Sequence, residues 1–127
     1  MQTAKWLAPV LLVAAMSSHA QEGTFQSRSL TPETALTAAR AALDACRKQG
    51  FQVTVVVTDR AGLTQVLLRD RFAGPHTVEV ASNKAWTAVS FRTSTAAIAA
   101  ETLPGRPMSG LRTLPRLLAA GGGQVIE

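Results

Sequence analysis

The stretch FQVTVVVTDRAGLTQVLLR, residues 51–69, switches the chain from a helical period to a period of two. Phe51, Val53, Val55 and Val57 point to one side of an extended strand, while Gln52, Thr54, Val56 and Thr58 point to the other. Asp59-Arg60-Ala61-Gly62 supplies turn chemistry, because aspartate can hydrogen-bond its own downstream backbone and glycine adopts conformations closed to other residues. Leu63 to Arg69 then reads as the returning strand of a β-hairpin.

Upstream of the hairpin, Thr31-Pro32-Glu33 reads as an N-cap, a proline at the first helical position and an acid at the positive end of the helix dipole. Leu36, Ala39, Leu43 and Cys46 share one face, and Gly50 is placed to stop a helix of about 18 residues. Cys46 is the single cysteine, so no disulfide can form within the chain, and its spacing predicts a buried, inert thiol.

Downstream, Arg69 to His76 is a charged connection containing glycine and proline. Thr77 is expected to cap a second helix with a narrow stripe of Val78, Ala81, Ala85, Ala88 and Val89, flanked by Lys84 and Trp86. Small residues in such a stripe permit close approach to a sheet and equally leave room for a flat ligand. Ser94 or Thr95 caps a short helix through Glu101, which Leu103-Pro104-Gly105-Arg106-Pro107 ends. Leu111 to Ala120 contains Pro115 and is expected to be an extended or edge segment; Gly121-Gly122-Gly123 is a turn, and Gln124 to Glu127 starts another strand. The order predicts one α+β domain, with helices packed on an antiparallel sheet, over residues 30–127.

The first 20 residues read as a signal peptide: Lys5, the apolar run Leu7 to Met16, and small residues at Ser18 and Ala20 before Gln21. A polar leader, residues 21–29, follows. The expected location is periplasmic or secreted, with no transmembrane span after cleavage. The chain carries 13 Lys and Arg against 8 Asp and Glu, a net charge of +5, without the basic run of a nucleic-acid arm. That balance suits a small anionic ligand. Beyond residue 20, His76 is the single histidine and no G-x-S-x-G elbow occurs, so a hydrolase triad is hard to assemble. Structural zinc lacks spaced ligands, and Gly121-Gly122-Gly123 lacks the lysine of a phosphate loop. Asp59 reads as a turn residue and Asp70 as a solvated charge.

VTVVVTDRAG (53–62), LLRDRFAG (67–74), NKAWTAVSFRTST (83–95) and LLAAGGG (117–123) occur in the order and spacing of the GlcG/HbpS-like haem-binding proteins, also called the haem-degrading domain family. The resemblance implies a compact, profilin-like α+β domain that forms homo-oligomers and binds haem or a related tetrapyrrole. Arg71-Phe72 departs from the family's acidic-Gly stretch, changing the loop near any ligand mouth. The family continues past the glycine turn with a hairpin, a further strand and a closing helix. The expectation is therefore a sheet lacking its final strands, in a chain that is either truncated or completed by another subunit.

A haem site needs a flat apolar slot, an axial ligand and cations for the propionates. His76 is the candidate iron ligand, with Met108 as a thioether alternative; Arg69, Lys84 and Arg92 are the propionate candidates. Trp86 and Phe72 are the residues able to stack on a macrocycle. Two other functions are weighed against a haem binder: a ligand-free oligomeric interaction module of the same fold, and a small enzyme acting on a hydroxy acid. No catalytic residue can be named for the latter.

Overall fold

The computed structural model describes residues 23–126; the signal peptide expected over residues 1–20 lies outside them. Helix α1 (Pro32–Lys48) starts as the sequence predicts, with Thr31 Oγ1 accepting the Thr34 N–H at 3.3 Å and Glu33 in the first turn. Gly50, at φ +82°, ends it and donates its N–H to the Arg47 carbonyl.

Strands β1 (Thr54–Thr58) and β2 (Thr64–Arg69) form the hairpin, with Val55 opposite Leu68, Val57 opposite Val66, and a bulge between Val57 and Thr58. Asp59 makes the turn: its Oδ1 accepts the N–H groups of Ala61 and Leu63 at 2.8 and 2.9 Å. Gly62 sits at φ +78° under Trp86, where a Cβ would come within 3.0 Å of the indole, so both backbone and space demand glycine.

The alternation of β1 sends its two sets of side chains to different helices. Val55 and Val57 join Ala35 and Ala39 of α1, with Val66, Leu68 and Leu30, in the hydrophobic core. On the other face, the Thr54 hydroxyl meets that of Thr77, the first residue of helix α2 (Thr77–Phe91), at 2.7 Å. The hairpin is thus the middle layer between two helices, an α+β architecture.

Several sequence expectations need correction. Thr77 does not cap α2; His76 holds the cap position with a helical backbone and no capping bond, because the chain is already turning from Gly74. The Thr77 hydroxyl instead bonds the Gly74 carbonyl. Leu111 to Ala120 is not an edge strand: Ser109–Thr113 is a 3-10 helix, and the following segment is held to α2 by the buried Thr87, whose Oγ1 accepts the Leu118 N–H at 2.9 Å. Nor do Gln124 to Ile126 pair as a strand. Gly123 is drawn instead to helix α3 (Thr95–Glu101), exchanging bonds with the Thr95 hydroxyl and Thr95 N–H at 2.8 and 3.1 Å. Cys46 is half-buried, lying near the end of α1 beyond the packed core.

Asp70 is buried at 2% exposure rather than solvated. Arg47 grips it with two bonds of 2.7 and 2.9 Å, and the Arg71 N–H adds a third, tying the end of α1 to the end of β2. The hydrogen bonds from Arg47 outweigh the opposing effect of burial and lower the Asp70 carboxyl from 3.8 to about 2. Because the folded value lies below the unfolded one, the pair stabilises the fold above pH 3.8, and this contribution is lost as pH falls toward about 2. Asp70→Asn is expected to lower stability at neutral pH and flatten its acid dependence across that window, read from circular dichroism during denaturation at a series of pH values.

Candidate functional site

Two places gather groups able to bind something. The first is the loop joining β2 to α2. Arg69 donates from Nη1 to the Ala73 carbonyl, and Asp70 anchors the loop's base through Arg47, so the loop is braced at both ends. Between these anchors Phe72 stands 79% exposed, with the Arg71 guanidinium 5.9 Å from its ring centroid. Gly74 leaves room for the His76 imidazole to fold over it: a Cβ there would lie 2.6 Å from His76 Cε1. The imidazole is exposed and makes no capping bond to α2. An available nitrogen ligand, an open aromatic face and two guanidinium groups thus share a loop of nine residues, 69–77.

The second place is a slot of about 440 Å³ along the outer edge of β1. Ala42 and Cys46 of α1 overhang it from one face of the sheet, and Val80, Ala81 and Ala85 of α2 from the other. Gly122 to Gln124 close one end, where Lys84 Nζ donates to the Gly121 carbonyl at 2.7 Å.

The sequence-predicted residues divide between these places and elsewhere. His76 and Arg69 belong to the loop, and Lys84 alone of the six lines the slot. Trp86 packs on Gly62, with the Arg116 guanidinium 5.0 Å from its ring centroid. Arg92 is the left-handed C-cap of α2, at φ 51°, at the opposite end of that helix from His76, and Met108 precedes the 3-10 helix. Sequence reading missed Cys46, Thr54 and Thr77 as slot-lining residues; the small Ala81 and Ala85 signalled space, but not that two helices would roof it.

The loop, unlike the slot, carries a candidate iron ligand and arginines for propionates. Phe72 offers a flat apolar contact, His76 a free imidazole and the arginines the charge that propionates need. The slot has neither histidine nor methionine in its lining, and Lys84 is its one charge. Among the described residues no group of three or more His, Cys, Asp or Glu converges as a metal site; haem iron requires only an axial ligand from the protein.

The model of the family described as "Haem degrading protein HbpS-like" matches residues 30–127. The chain belongs to the HbpS-like family. Among solved structures, HbpS is similar at 40% identity with a TM-score of 0.76, the alignment covering 83% of this chain and 72% of that one. A double mutant of Streptomyces reticuli HbpS is 36% identical at the same TM-score of 0.76, with 97% and 77% covered. PduOC in a complex with haem is 29% identical, with a TM-score of 0.67 and coverage of 75% and 70%. No curated protein sequence matches the chain. The α+β fold is therefore that of HbpS, and no helix among the described residues is long and apolar enough to cross a membrane.

Proposed function

We propose that this HbpS-like chain binds haem outside the cytoplasm, holding it against the loop 69–77. The observation that carries the reading is the exposed His76 imidazole, unengaged at the start of α2, on the same braced loop as Phe72, Arg69 and Arg71. Similarity to PduOC, solved with haem bound, supports the ligand class, and the pattern from Lys5 to Ala20 supports export. His76 ligates the iron, Phe72 contacts the macrocycle, and Arg69 and Arg71 pair with the propionates. When bound, haem iron supplies the oxidative chemistry; the chain binds and orients the group and keeps it accessible to solvent. Size-exclusion chromatography after incubation with hemin is expected to show haem absorbance co-eluting with folded protein. Complete separation of the two would overturn the proposal.

A further inference from the structure

The seat of the His76 ring is more closely specified than an exposed loop histidine requires. The three atoms nearest to where a Gly74 Cβ would stand all belong to that ring: Cε1 at 2.6 Å, Nδ1 at 2.8 Å and Nε2 at 3.7 Å. The Cε1–Nδ1 edge therefore lies against the glycine, and Nε2 is the nitrogen turned away from it. Gly74 does not adopt a positive φ, so its backbone alone does not call for glycine. The ring does.

Gly74 is itself held from both sides. Its carbonyl accepts the Thr77 N–H at 3.0 Å and the hydrogen of the Thr77 hydroxyl. A hydroxyl has one hydrogen to give, so the 2.7 Å contact between the Thr77 and Thr54 hydroxyls is a bond donated by Thr54, from β1. On the other side Ala73 is buried, with its N–H on the Asp70 carbonyl at 3.1 Å and its carbonyl taken by Arg69. These bonds all lie within residues 54–77, and they fix the glycine to the hairpin.

We propose that Gly74 is a positioning residue for iron ligation: it seats the His76 ring so that Nε2 is the ligating atom, and the Thr77 hydroxyl holds the seat in place. The inference rests on the haem reading above. A ring already seated loses less rotamer freedom on taking the iron, and the nitrogen it presents is set before haem arrives.

The test is a double-mutant cycle in the full chain, with Gly74→Ala and His76→Ala made singly and together and hemin affinity read by visible titration. Gly74→Ala is expected to weaken binding about tenfold while His76 is present, and to have no further effect once the imidazole is gone. Thermal stability of Gly74→Ala should stay near that of the parent, because an exposed ring swings aside rather than straining the fold. Thr77→Val keeps the branched shape but removes the hydroxyl, and is expected to weaken hemin binding about threefold or more; Thr77→Ser, which keeps the hydroxyl, restores it. In the ligand-free protein, the Gly74 α-proton resonances should carry a ring-current shift that disappears in His76→Ala. Equal hemin affinity of Gly74→Ala and the parent, or an equal loss with and without His76, overturns the inference and leaves haem binding standing. Gly74 resonances identical in the parent and in His76→Ala overturn it without reference to hemin. A folded parent that binds no hemin overturns the haem reading and this inference together.

Discussion

Replacing His76 by alanine is expected to reduce hemin affinity by roughly tenfold or more, equivalent to about 1.4 kcal/mol of lost iron–imidazole binding. Thermal stability should scarcely change, because the ring is exposed and makes no capping bond. That separation of binding from stability is the useful feature of the variant. The spectrum of any residual complex should lose the signature of nitrogen ligation, a change that altered packing alone would not produce. Equal affinity and an identical spectrum in the two proteins would remove His76 as the ligand while leaving haem binding itself to be judged separately.

Gly123→Ala is expected to destabilise the protein by about 1–3 kcal/mol, measured by chemical denaturation. A Cβ at this position would fall 2.7 Å from the Lys84 carbonyl oxygen and 2.7 Å from Thr95 Cγ2. Neither neighbour can yield easily: one is helical backbone, the other a fully buried β-branched side chain already bonded to Gly123 through its hydroxyl. The glycine is there for close approach, and its loss would lift the 121–124 segment from α2 and α3 together. Gly121→Ala is the control, since its Cβ would meet only Ala96 at an ordinary 3.7 Å, and a change within about 0.5 kcal/mol is expected.

The parts of the fold legible in the sequence are those governed by local patterning. The hairpin follows from the alternation at 53–57 and the Asp59–Gly62 turn, and both appear with the expected facing. The caps at Thr31 and Ser94 are equally local, needing only a hydroxyl at the right offset from a backbone N–H. Tertiary competition decided the rest. Thr77, an acceptable cap by type, spends its hydroxyl on Gly74 and Thr54; Asp70, charged and set in a polar loop, is buried because Arg47 reaches it from α1.

The candidate sites divide along the same line. Loop 69–77 was legible as a charged connection containing His76, but the exposure of Phe72 and the bracing by Arg69 are properties of the folded chain. The slot depends on two helices overhanging opposite faces of one strand edge. No window of sequence contains that relation, although Ala81 and Ala85 mark where one wall comes close.

The most direct test of haem binding is a visible-range titration of the protein with hemin. A Soret band shifted from that of free hemin and saturating with the protein is expected when an exposed imidazole takes the iron. A hemin spectrum unaltered by protein that circular dichroism shows to be folded would contradict it.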